Sequence, residues 1–142
     1  EVRGQQFRFI NTHLEGRLPV PIQFAQAGEL LAGPADTSLP VILGGDFNIE
    51  PQWDEMAIVQ DRSANGDFEF ADFNSRTVSS GSLGDTYRRV DYIFVAAPQR
   101  NVTSVGEAVL WRDGITTLDG STMFFPSDHL PLVQVFSITA KN

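Results

Sequence analysis

The chain has no cysteine, which excludes disulfides and thiolate metal sites, and the residues that stand out for chemistry are its two histidines and a few carboxylates. The carboxylates stand in three short motifs: Gly-Gly-Asp-Phe-Asn at 44–48, Arg-Val-Asp-Tyr-Ile at 89–93 and Ser-Asp-His-Leu-Pro at 127–131. A fourth motif, Asn-Thr-His-Leu at 11–14, carries the other histidine. Each lies where an extended apolar run meets a turn. Carboxylates, an amide and imidazoles gathered at strand ends suit a hard divalent cation and a phosphoryl group. The chemistry expected is metal-assisted phosphoester hydrolysis.

Asp46 and Asn48 are two residues apart, so an extended backbone through position 48 would point both the same way. Asp46 can hold a metal-bound or attacking water, and the Asn48 amide can donate to a phosphoryl oxygen without drawing a competing cation. Gly44 and Gly45 would let a ligand approach the backbone, although the same tetrapeptide also makes an ordinary Asx turn. Asp128 can ligate a metal, while His129 hydrogen-bonds a phosphate or a water. Mg²⁺ takes one or two carboxylates and fills its shell with waters and substrate oxygens, which matches so sparse a set. Asp91 interrupts the apolar run Val-Asp-Tyr-Ile-Phe-Val. A carboxylate buried in a strand is costly unless paired, and an imidazole is the natural partner, with Arg89 as the structural alternative. His13 alone reads as a strand-end histidine and takes its meaning from its company.

The elements that must position these groups follow from the pattern. Residues 7–14 are aromatic and β-branched and read as a strand, with Phe7, Phe9, Asn11 and His13 on one face that passes from core to cleft. Pro21 to Leu31 has near-helical spacing, with Ile22, Phe24 or Ala25, Ala27, Leu30 and Leu31 on its apolar side and Gly33-Pro34 as its stop. Residues 40–46 form a short continuous apolar run, as in a strand covered on both faces. A short helix is expected over 53–60, a long polar loop with brief structure over 61–86, and a strong strand over 90–96. Weaker strands follow near 103–111 and 121–125, and a last one spans 132–139 with Pro131 at its entry.

The formal charge of −8 argues against a broad basic surface for nucleic acid, though a bound cation would reverse the field at the site itself. Arg17, Arg76, Arg88 and Arg112 are the candidate phosphate contacts. No apolar stretch approaches the roughly 20 residues of a membrane span. Compartment is not legible.

In this order, the four motifs make the chain resemble the endonuclease/exonuclease/phosphatase superfamily. The matching residues are Asn11-Thr12-His13-Leu14, Gly45 to Pro51, Asp85-Thr86-Tyr87 with Arg89 to Ile93, and Ser127 to Pro131. The resemblance implies an α/β fold of the deoxyribonuclease I-like type: a four-layer sandwich of mixed β-sheets with helices outside. It also implies roles. His129 would lie beside the scissile phosphate as general base or hydrogen-bond donor, oriented by Asp91. Asp46 would position the water and share Mg²⁺ or Mn²⁺ with Asp128, Asn48 would hold a phosphoryl oxygen, and His13 would contact the phosphate.

Members of that superfamily run to about twice this length, so the chain, residues 1–142, is expected to be the C-terminal half of the domain. The absent half would carry a metal-binding glutamate, so the isolated chain should be weakly active or inactive. The sheet face it would cover cannot stay open to water, and either that half or a second copy is the expected partner. The substrate is some phosphoester: nucleic acid, a small phosphodiester, an inositol phosphate or a lipid headgroup. The alternatives are a non-catalytic binding or assembly module on the same fold, and a transition-metal site built from the two histidines and aspartates.

Overall fold

Strands form where β-branched and aromatic residues run together, and helices where apolar residues recur every three or four positions. A computed structural model describes residues 1–2, 4–16, 20–60, 69–70, 80–82, 85–96, 102–110, 115–116, 119–120, 123–124, 127, 129 and 131–139. In chain order its elements are β1 (Arg8–His13), α1 (Val20–Ala32), β2 (Val41–Asp46), α2 (Asp54–Gln60), β3 (Glu69–Phe70), β4 (Ser80–Ser82), β5 (Asp85–Arg88), β6 (Asp91–Ala96), β7 (Val102–Leu110), β8 (Ile115–Thr116), β9 (Met123–Phe124) and β10 (Leu132–Ile138). The short pair β8–β9 includes a strand, β8, that periodicity did not pick out.

The frame is a mixed sheet in the order β1-β2-β6-β3. β1 runs parallel to β2, while β6 is antiparallel to both β2 and β3. Ile10, Leu43 and Phe94 form one row across the three long strands and lie in a core with Ala27 and Leu31 of α1 and Met56 and Val59 of α2. Phe47, Tyr92 and Phe94 meet at ring-centroid distances of 5.1–5.8 Å, edge-on where Phe47 is involved. Along α1 the buried stripe is Gln23, Ala27 and Leu31, spaced by four; Ile22, expected on it, is exposed instead.

On the other face of the sheet, β6 packs against the antiparallel pair β7–β10, so the layers run helices, mixed sheet, β7–β10. This is an α/β architecture with mixed and antiparallel sheets and helices outside, as the sequence led us to expect. Phe9, Asn11 and His13 share a face, but it is not the helix-covered core: Phe9 is 65% exposed, whereas Ile10 and Leu14 on the opposite side are buried. The period was right and the side was wrong: the helix-covered core takes Ile10 and Leu14, the residues of opposite phase.

Candidate active site

Register brings the chemistry together. His13, Asp46 and Asp91 are consecutive partners across β1, β2 and β6, one row at the edge where the first two strands end and the third begins. By alternation they point away from the helices, toward the side that β10 approaches. His129 enters from the residues before β10, its N–H donating to Ser127 Oγ at 3.0 Å. The His129 ring lies with Nδ1 2.8 Å from Asp91 Oδ2. Donation of Nδ1–H to that carboxylate leaves Nε2 as the acceptor of a neutral ring.

Asp46 stands between the two imidazoles. Its Oδ1 accepts the Asn48 N–H at 2.8 Å, closing an Asx turn. Its Oδ2 lies 3.4 Å from His13 Nε2 and 3.8 Å from His129 Nε2. The second gap is too long for a direct hydrogen bond. Burial raises the Asp46 carboxyl above its ordinary range and Asp91 adds to the rise, while the Asn48 N–H and the two imidazoles oppose it.

Asn48 does not continue the strand. It sits at φ +53°, and its Nδ2 donates to the Leu14 carbonyl at 2.8 Å, so the shared direction expected of Asp46 and Asn48 is not realised. One amide hydrogen still remains for a ligand. Gly45 has a different purpose from the one expected: at φ +145° a Cβ there would collide with the Thr12 carbonyl of β1, so glycine serves strand packing. At Gly44 a Cβ would meet only ordinary contacts. Gly16 is the position kept small for the site, since a Cβ there would lie 2.6 Å from the Asn48 side chain.

Sequence reading missed the support beneath this turn. Buried Gln23 donates to the Glu15 carbonyl at 2.6 Å and to the Asn48 carbonyl at 3.3 Å, and Gln26 accepts the Glu15 N–H at 2.8 Å. The signal was a pair of glutamines three apart on a helix that otherwise buries apolar groups. Tyr92 was missed as a staple: its hydroxyl lies 2.7 Å and 2.6 Å from the carbonyls of Ile49 and Arg89, tying the turn after β2 to the entry of β6.

Asp46, Asp91 and His129 offer ligand atoms within 4.8 Å of one another and could hold a metal ion. Two carboxylates with room for water and substrate oxygens fit a hard divalent cation. Asp128, expected as a ligand beside Asp46, lies outside the described residues, as do Arg17, Arg76 and Arg112. The site opens into a cavity of about 620 Å³ lined by His13, Asp46, Asn48, His129 and Arg88 among others. Among the described residues no helix is long and apolar enough to cross a membrane.

The family model described as the Endonuclease/Exonuclease/phosphatase family matches residues 5–129. The chain belongs to that family. No curated protein matches it significantly by sequence. Among solved structures it is similar to the human Nocturnin catalytic domain with bound sulfate anion, at 25% identity and a TM-score of 0.63, covering 98% of this chain and 50% of that one. A functionally unknown conserved protein from Enterococcus faecalis gives 22% identity and a TM-score of 0.68 over 96% of this chain and 52% of that one. A mannosyl-6-phosphatase of Bacteroides thetaiotaomicron gives 20% and 0.59 over 96% and 53%. These neighbours share the endonuclease/exonuclease/phosphatase fold, of the deoxyribonuclease I-like type, and the chain spans about half the length of each.

Proposed function

We propose that this chain supplies the catalytic side chains of a Mg²⁺- or Mn²⁺-dependent phosphoester hydrolase. The observation that carries the reading is the convergence of His13, Asp46, Asp91 and His129 at one sheet edge, with Asp46 Oδ2 within 4 Å of both imidazoles. Asp46 orients the attacking water. His129, its tautomer held by Asp91, takes the water's proton through Nε2 or donates to the phosphoryl oxygens once protonated. His13, with most of its side chain exposed, contacts the phosphate, and the remaining Asn48 amide hydrogen donates to a phosphoryl oxygen. A bound divalent cation, held by the Asp46 and Asp91 carboxylates together with Asp128, would supply charge stabilisation to the phosphoryl group.

Small phosphomonoesters and diesters are the substrates to try first; among the neighbours is a mannosyl-6-phosphatase. We assign the chain to one half of the catalytic domain, completed by a second segment that lies beside β1 and β7–β10. Titration of Mg²⁺ into the chain, followed by NMR, should move the resonances of Asp46 and its neighbours with a millimolar midpoint. In the completed protein His129→Ala should lower kcat by about 10²–10⁴. Unchanged turnover in that variant sinks the assignment.

A further inference from the structure

Arg88 closes β5 and lines the same cavity as Asp46 and His129. Its Nε lies 3.1 Å from Glu50 Oε1, and its guanidinium carbon sits 5.9 Å from the centroid of the Trp53 ring. Glu50 is itself tied by Gln52, whose Nε2 donates to Glu50 Oε2 at 2.8 Å. The arginine is thus held through Nε and by an aromatic face, and the contacts found for it among the described residues leave its terminal nitrogens uncommitted. A guanidinium fixed in this way offers N–H groups in the planar fork that suits a phosphate.

Charge makes the position informative. Asp46 and Glu15 also line the cavity, and the chain as a whole carries −8. Among the described lining residues Arg88 is the permanent cation. The carboxylate it pairs with is Glu50, not Asp46 or Asp91, so it stands beside the reacting cluster and not within it. An anion next to the scissile phosphate, in a cavity of about 620 Å³, would meet it.

We propose that Arg88, clamped by Glu50 and Trp53, is the contact for a second phosphoryl group flanking the scissile one, so that the substrate is a phosphoester bearing two neighbouring phosphates. This rests on the hydrolase reading for the identity of the scissile phosphate, but not for the existence of the anion site. Two sources share the chemistry: a bisphosphorylated small molecule, and an oligonucleotide with successive diester phosphates.

The test is binding, read separately from turnover. The ¹⁵N-detected Arg88 Nε–H resonance is followed while 2,3-bisphosphoglycerate or a short oligodeoxynucleotide is added. At least one probe should shift that resonance, and Arg88→Ala should weaken the binding of that probe by about tenfold, as for loss of charge-assisted hydrogen bonds. Arg88→Lys, which keeps the charge and loses the fork, should fall between the two. The probe that responds identifies the source. A resonance that moves with neither probe, or an Arg88→Lys variant that binds both as tightly as the parent, overturns the proposal. Absence of hydrolysis by the completed protein, alongside an Arg88-dependent shift, would instead count against the hydrolase reading and leave the anion site standing.

Discussion

Ionising Asp46 carries a cost in this fold. Burial and Asp91 both push its carboxyl toward the neutral form, yet the proposed water-positioning role needs the carboxylate. A folded-state pKa raised above the unfolded value means that ionisation opposes folding: the favourable contribution is complete at low pH and is lost as pH rises through the folded pKa. Asp46→Asn removes that opposition, and its side-chain carbonyl can still accept the Asn48 N–H. At pH 7 the variant should therefore unfold later, by about 0.5–2 kcal/mol, and the gain should shrink as pH falls into the range where Asp46 protonates. Turnover of the completed protein should fall by more than about a hundredfold at the same time. Thermal unfolding at several pH values, paired with activity, checks both halves. The residue was legible as a candidate because Gly-Asp-Phe-Asn ends an apolar run, but its setting between two imidazoles was not, since His13 and His129 lie far from it along the string.

At the level of elements, the site depends on how the turns after β1 and β2 are held. Tyr92 reaches from β6 to the carbonyls of Ile49 and Arg89, and its burial pushes the phenol far above its ordinary pKa. Tyr92→Phe keeps the ring contacts with Phe47 and Phe94 and should cost about 1–3 kcal/mol, measurable by urea unfolding, because the two carbonyls lose the one hydroxyl proton they share. Gln23 does the same from α1 for Glu15 and Asn48. Gln23→Leu preserves the helix and should lower kcat more than it lowers stability, because the Asn48 turn loses its floor; kcat equal to that of the parent would make Gln23 purely structural. The longer strands, both helices and their approximate bounds follow from spacing and breakers, whereas the short strands β3, β4, β5 and β8 do not. The side of β1 that faces the core does not, because a two-residue period says which side chains agree and not what lies across from them.

The whole molecule leaves apolar surface unpaired. Val105 and Val135 are cross-strand partners, exposed by 51% and 61%, and Phe9 on β1 is open by 65%. Leu132 faces the gap between the sheets, so by alternation Val133 points to the outer side, where 48% of its surface is open. Isolated exposed valines are unremarkable, but neighbours on one sheet face mark a surface for association. Purified alone, the chain should self-associate at micromolar concentration. Val105→Lys with Val135→Lys should shift it toward monomer in sedimentation velocity, and a parent chain that is already monomeric removes the expectation.

Taken alone, the amino-acid sequence decided which residues could do chemistry, the family they resemble and the α/β class, because these depend on residue type, order and local period. Tertiary structure decided that β1 and β2 run parallel in the register that aligns His13 with Asp46 and Asp91, that His129 caps that row through Asp91, and that Gln23 and Tyr92 hold the turns. Those facts depend on pairings between residues dozens of positions apart, and no local pattern encodes which strand will lie beside which.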